Sequence, residues 1–103
     1  MIRASRIVGE YEANEVAADA RYKGKELAII GVVGEIKKDI LDASYVTLDD
    51  GEFGLRAVQA FFQEKDLPQL AQLRRGQIVA AAGRSLVMNV LLQKCRLIQL
   101  ASE

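Results

Sequence analysis

The sequence predicts a mainly β fold, a five-stranded Greek-key barrel with a helix between its third and fourth strands and an additional helix before the first. Five segments of alternating or continuous apolar residues follow one another between about residues 25 and 98, as expected for successive short strands. Asp50-Gly51 separates the second segment from the third and is typical of a tight hairpin turn. A helical run over 67–75 follows the third segment.

The additional helix is predicted over about residues 10–21. Alanine is frequent there, and the apolar residues are spaced so that they gather on one side of a helix. The segment ends at Tyr22-Lys23-Gly24, a cationic turn followed by glycine, which is a common helix stop. The side expected to be buried consists of Tyr11, Val16, Ala17 and Ala20.

The first strand is predicted over 25–37, and both of its faces are apolar. We therefore expect one face to line the barrel core and the other to be covered by the additional helix. Gly31 and Gly34 suit a strand that must bend sharply. Lys37 and Lys38 are expected to begin the first loop.

The second and third strands are predicted over 44–48 and 55–62. Side chains alternate between the two faces of a strand. If Val46 and Phe62 point into the barrel, Tyr45 and Phe61 project together from its outer face. An outward aromatic pair of this kind has two interpretations, a stacking platform for bases or a cross-strand pair that stabilises the sheet.

The remaining elements complete the barrel. Asp66 is placed to cap the helix over 67–75, and Pro68 is tolerated in its first turn. The fourth and fifth strands are predicted over 77–84 and 89–98. This order of elements is that of the OB-fold, a partly open barrel that commonly binds oligonucleotides or oligosaccharides.

Length and charge limit the function classes. The chain has 103 residues, which is enough for a single domain over 1–103, with the helix at about 10–21 and the barrel at about 25–98. Its 14 basic and 14 acidic residues cancel. Proteins dedicated to duplex DNA usually carry a basic surplus, so the balance disfavours that class. The high apolar content excludes a disordered chain.

The residue types disfavour catalysis. The chain has no histidine, so a histidine-based triad, general base or metal site is excluded. It has no Walker-type loop and no dinucleotide fingerprint. Its one cysteine, Cys95, lies in an apolar strand, where a thiol is unreactive. We therefore expect a protein that is not an enzyme and that uses no cofactor or metal.

The first functional hypothesis is weak binding of single-stranded nucleic acid. OB-folds with this function use aromatic residues on the second and third strands and basic residues in the loops at the rim. The candidate residues are Tyr45, Thr47, Gln59 and Phe61 on those strands, Lys37 and Lys38 in the first loop, and Arg84 near the last one.

The second hypothesis is a protein-interaction or self-association module. The outward faces of the first and fourth strands carry apolar side chains, and an exposed apolar patch usually marks an interface. A neutral chain fits this hypothesis well. The patch is covered by the additional helix, by a second subunit or by another protein. Its members are Ile30, Val32, Ile78, Ala80 and Ala82.

Several segments together resemble the tRNA-anti-like family of bacterial OB-fold proteins. The resemblance runs from about Tyr11 to Ile98 and implies an OB-fold with a leading helix. The family name implies nucleic-acid binding, which makes the first hypothesis the leading one. The segments that carry the resemblance are Tyr22-Lys23-Gly24-Lys25, Gly31-Val32-Val33, Tyr45-Val46-Thr47-Leu48, Leu73-Arg74-Arg75-Gly76-Gln77 and Asn89-Val90-Leu91-Leu92.

The expected location depends on what precedes the chain. No apolar run is long enough to span a bilayer, and no apolar segment follows the basic N-terminus as it does in a signal peptide. Many members of the family resemble exported lipoproteins. We expect a cytoplasmic protein if the sequence is complete, and a periplasmic or envelope protein if an export signal precedes it.

Overall fold

The computed structural model describes residues 1–49, 57–86 and 91–98. The predicted turn at Asp50-Gly51 and the first residues of the predicted third and fifth strands lie outside these ranges. In chain order the elements are β1 (Ile2–Arg3), α1 (Ala4–Ala13), α2 (Glu15–Tyr22), β2 (Glu26–Lys38), β3 (Ser44–Asp49), β4 (Val58–Phe62), a 3-10 turn (Glu64–Asp66), α3 (Leu67–Leu70), β5 (Ile78–Leu86) and β6 (Leu91–Ile98).

Strands β2 to β6 form a closed barrel and correspond, in order, to the five predicted strands. The sheet order is β1-β2-β3-β4-β6-β5, and a further pairing between β2 and β5 closes it. The β4–β6 pairing is parallel, whereas the other four pairings in the barrel are antiparallel. The short strand β1 runs parallel to β2. This topology confirms the predicted OB-fold.

Strand β2 serves both sides of the barrel because it bends in the middle. Its first half pairs with β5 and its second half with β3, and the β3 register shifts between Val33 and Ile36. In this bulge the Glu35 N–H donates to the Thr47 hydroxyl at 2.8 Å. A Cβ on Gly34 would lie 2.8 Å from that same oxygen, so only glycine fits without displacement.

The core consists of the inward-facing residues of the barrel together with residues of the N-terminal helices. Val33 and Phe62 both point inward and are buried. Truncating side chains of this kind typically costs ~1–5 kcal/mol. The strand residues that are at most 1% exposed are Ile29, Val33, Val46, Leu48, Val58, Ala60, Ala80, Ala81, Ser85, Leu92 and Cys95.

The prediction of one helix over 10–21 is wrong in its bounds, because two helices occupy residues 4–22. Asn14 separates them with extended backbone, and its side chain accepts a hydrogen bond from the Ala17 N–H at 3.0 Å. The break turns α2, so that Val16 is 81% exposed and Tyr22 is buried. The ring of Tyr22 stacks on that of Tyr11, with 6.3 Å between centroids.

The helix predicted over 67–75 is shorter than expected and is capped differently. It ends at Leu70, which is buried in the core. Pro68 lies in its first turn, as predicted. Asp66 does not cap this helix. Its carboxylate instead accepts from the Gln63 N–H at 3.3 Å and closes a capping box around the preceding 3-10 turn.

Candidate nucleic-acid interface

Tyr45 on β3 and Phe61 on β4 are directly opposite each other in the antiparallel pair. Their ring centroids are 5.0 Å apart with an interplanar angle of 34°, and both side chains are partly exposed. Their neighbours Val46 and Phe62 are buried, which turns the two aromatic rings to the outside of the barrel. We call this outer surface of β3 and β4 the aromatic face.

The next pair along the aromatic face is Thr47 and Gln59. Thr47 is only 9% exposed, because its hydroxyl oxygen accepts from Glu35 in the bulge of β2. The Thr47 hydroxyl oxygen therefore already has one partner within the fold, and little of its side chain is open to a ligand. Gln59 remains partly exposed beside the two aromatic rings.

Lys37 and Lys38 belong to the end of β2, not to the first loop as expected. The reason is that β3 begins early enough to pair with both, and Lys37 is opposite Tyr45. Each ammonium has a carboxylate partner: Lys37 is 2.8 Å from Glu35, and Lys38 is 3.2 Å from Asp42. The bond with Glu35 raises the pKa of Lys37 and lowers that of Glu35.

Arg84 lies on β5, two residues before the end of the strand, and is exposed. It is opposite Gln93 of β6, and its guanidinium donates to the Gly24 carbonyl at 3.3 Å. Strand β6 therefore separates Arg84 from Phe61. The structure does not bring this arginine into contact with the aromatic pair.

Loop 39–43 stands beside the aromatic face and is held by its own hydrogen bonds. The Asp39 carboxylate accepts from the N–H groups of Leu41 and Ala43, both at 2.9 Å. The Asp39 N–H donates in turn to the Ala43 carbonyl at 2.9 Å. The loop projects two apolar side chains into solvent, with Ile40 fully exposed and Leu41 83% exposed.

A bulge in β6 forms the other border of the aromatic face. Its register with β4 shifts between Ala60 and Phe62, so that Gln93 and Lys94 together face Phe61. Lys94 has φ +51°, a left-handed conformation that is uncommon for a residue with a side chain. A groove of about 500 Å³ runs between the bulge and loop 39–43.

Sequence reasoning did not identify Lys94 as a neighbour of Phe61. The parallel pairing of β4 with β6 joins segments more than thirty residues apart, so no local pattern reports their register. One signal was present in the sequence. The buried residues Leu92 and Cys95 are three positions apart, which breaks the two-residue period of a strand and indicates a bulge.

The candidate interface on β2 and β5 is smaller than expected. Ala80 and Ala82 are buried, at 0% and 3% exposed, so they offer no surface to a partner. The ion pair of Arg96 with Glu26 crosses the outside of β5 beside Ala82. Ile78 is 60% exposed.

Three of the interface candidates remain accessible and lie together. Ile78 is directly opposite Val32. Ile30 lies on the same face of β2, two residues before Val32 in the chain. All three line a shallow groove of about 330 Å³, which Arg3 and Asp49 border. We call this the β2–β5 groove. Neither Tyr45 nor Phe61 lines this groove.

Other chemistry of the described part of the chain is limited. Burial raises the pKa of the Cys95 thiol to about 12, which keeps it protonated and unreactive at neutral pH. Within residues 1–49, 57–86 and 91–98, no three carboxylate or thiol side chains are grouped as they are around a metal ion. No helix in these ranges has the length and apolar character needed to cross a bilayer.

Comparison with known proteins supplies a family and a fold. The family model that matches is tRNA_anti-like, over residues 1–96. No curated protein matches the sequence. Among solved structures, the crystal structure of a "putative nucleic acid-binding lipoprotein" from Klebsiella pneumoniae has a TM-score of 0.75 at 20% identity and covers 96% of this chain and 92% of that one.

Two further structures share the barrel. Asparaginyl-tRNA synthetase from Pyrococcus horikoshii matches with a TM-score of 0.56 at 19% identity, over 80% of this chain and 21% of the synthetase. OBody AM1L10, bound to hen egg-white lysozyme, matches with a TM-score of 0.57 at 17% identity, over 78% of this chain and 85% of the OBody. At these identities the similarity concerns the fold alone.

Proposed function

Because the chain belongs to the tRNA_anti-like family of OB-fold proteins, we propose that it is a non-catalytic module that binds single-stranded nucleic acid on the aromatic face. The observation that carries this proposal is the pair of partly exposed rings at Tyr45 and Phe61, 5.0 Å apart on the two central strands of that face. OB-folds that bind single strands stack bases on aromatic side chains at this position.

The electrostatics of the face support weak binding. The chain carries no net charge, and Lys37, which is opposite Tyr45, is already paired with Glu35 at 2.8 Å. A phosphate that binds Lys37 must compete with this carboxylate. We therefore propose that stacking supplies most of the affinity and that few counterions are released, so the dependence on salt is modest.

The relatives fit this proposal without extending it. The name of the matched lipoprotein includes nucleic-acid binding. The asparaginyl-tRNA synthetase acts on tRNA, as its name states, and this chain matches one portion of it. Stacking requires no particular base, because every base presents a π face. The proposed ligand is accordingly a single strand without strong sequence preference.

A second candidate function is self-association or protein binding through the β2–β5 groove. The exposure of Ile78, at 60%, and its position opposite Val32 favour it. The OBody bound to lysozyme is an example of a protein partner on the same fold. The two functions involve different residues, so one set of variants separates them.

The test is fluorescence anisotropy with a labelled single strand of about eight deoxythymidines, a length within the range that one OB-fold covers. Tyr45→Ala and Phe61→Ala each remove one ring, and each should weaken binding by roughly 5- to 150-fold, corresponding to ~1–3 kcal/mol of stacking. Tyr45→Phe retains the ring and should bind as the wild type does.

Ile78→Ala is the matched control, since it removes an exposed apolar side chain outside the aromatic face. It should leave oligonucleotide affinity unchanged. A wild-type protein that binds no oligonucleotide at low salt refutes the proposed function. If Ile78→Ala then also changes the sedimentation behaviour of the protein, the second candidate function takes its place.

A further inference from the structure

The bulge of β6 presents a lysine in an unusual backbone conformation. Lys94 is exposed, has φ +51° and forms no ion pair with any described residue. A left-handed conformation costs a residue with a Cβ roughly 1–2 kcal/mol, and glycine or asparagine would adopt it more readily. A residue in a strained backbone conformation beside a candidate binding site is a reason to look for a function.

The position of Lys94 relates it directly to the aromatic face. Lys37, Tyr45 and Phe61 are opposite one another on β2, β3 and β4, and the bulge that carries Lys94 faces Phe61 from β6. A cation therefore borders the aromatic pair on each side. The two cations differ, because Lys37 is held by Glu35, whereas the Lys94 ammonium is available to an anionic ligand.

The groove beside Lys94 continues the aromatic face beyond Phe61. Phe61, Phe62 and Leu91 contribute apolar lining, and Leu41 borders the groove from the loop. Asp39 also lines the groove, but its Oδ1 accepts from two backbone N–H groups of its own loop. The groove thus combines apolar surface with the Lys94 ammonium, which pairs with no carboxylate among the described residues. A base and its phosphate require these two features.

We propose that this groove is a second nucleotide subsite, in which Lys94 contacts the phosphate of the nucleotide next to the one stacked on Phe61. The inference rests on the proposed function and deepens it, because it assigns the phosphate contact to a residue outside the two aromatic strands. The bulge is what aims the ammonium toward the groove, since a regular strand would place one residue, not two, opposite Phe61.

The experiment measures the salt dependence of binding to the same labelled oligo(dT) by the wild type, Lys94→Asn and Lys94→Arg. Asparagine tolerates the left-handed conformation but carries no charge, while arginine retains the charge. One lost phosphate contact lowers the slope of log affinity against log salt by ~0.7, so the wild type should lose about 2.5-fold more affinity than Lys94→Asn between 50 and 200 mM salt. Lys94→Arg should restore the wild-type slope.

Arg74→Gln is the control, since it removes one positive charge from an exposed residue that does not line the groove. Its slope should equal that of the wild type. An equal fall in Arg74→Gln and Lys94→Asn overturns the inference, because it reports net charge alone. An unchanged slope in Lys94→Asn, with binding still dependent on Tyr45 and Phe61, overturns the subsite and leaves the proposed function intact. No binding by the wild type overturns both.

Discussion

Adding one methyl group at Gly83 tests how closely β5 packs against the bulge that carries Lys94. A Cβ at Gly83 would lie 2.6 Å from the Cys95 sulfur and 2.7 Å from the Gln93 carbonyl oxygen. Both distances are shorter than a real Cβ contact, and the carbonyl belongs to the bulge itself. Gly83→Ala therefore requires β6 to move away from β5.

The expected loss follows from two opposing effects. Overpacking a tight core costs ~1–3 kcal/mol, and the loss of chain flexibility in the unfolded state returns roughly 0.4–1 kcal/mol. Because two atoms must move at Gly83, we expect the free energy of unfolding to fall by about 2 kcal/mol, near the upper end of the range that these two effects allow. In a chain of this size this lowers Tm by roughly 10 °C.

Gly9→Ala is the matched control. Gly9 lies in α1 with no atom within 4 Å of the added methyl, so the helix should gain about 0.5–1 kcal/mol. Urea denaturation of both variants measures these changes in the free energy of unfolding. In a Cys95→Ala background the cost of Gly83→Ala should be smaller, since one contact is gone. A Gly83→Ala variant as stable as the wild type would refute the packing of β5 on the bulge.

Two further predictions concern titratable side chains. Cys95 should react slowly with a thiol reagent at neutral pH in the native protein and rapidly in denaturant, because burial raises its pKa to about 12; equal rates in both states would contradict its burial. Burial, with a contribution from Asp19, raises the pKa of Tyr11 to about 12, against ~10 in an unfolded chain. The contribution of Tyr11 to the free energy of unfolding is therefore fully present below pH ~10 and is lost as the pH rises toward 12. Tyr11→Phe should reduce this pH-dependent loss in the free energy of unfolding, measured by urea denaturation at several pH values. A pH dependence identical to that of the wild type would contradict the raised pKa of Tyr11.

The barrel was predictable because each of its strands has a simple relation to the core. The inward residues Val46 and Phe62 were identified from alternation alone, and this placed Tyr45 and Phe61 on the outside. The bounds of the N-terminal helices were less predictable. Asn14 ends one helix and caps the next, and its preference for caps outweighs the apolar spacing that suggested one continuous helix.

The site was only partly predictable because its details depend on bulges. At Gly34 and Glu35 the bulge of β2 gives the Thr47 hydroxyl oxygen a backbone partner that alternation did not predict. At Lys94 the bulge of β6 adds a cation that no spacing rule had placed beside Phe61. An extra residue in a strand shifts the faces of all that follow, and the pairing partner that reveals it is distant in sequence.

The most direct test of nucleic-acid binding on the aromatic face is an amide chemical-shift map of the isotopically labelled protein during titration with unlabelled oligo(dT). We expect the largest shifts at Tyr45, at Phe61 and in the bulge at Gln93-Lys94, and we expect these shifts to saturate together. Shifts that centre instead on Ile78 and Val32, or the absence of shifts at saturating ligand and low salt, would contradict it.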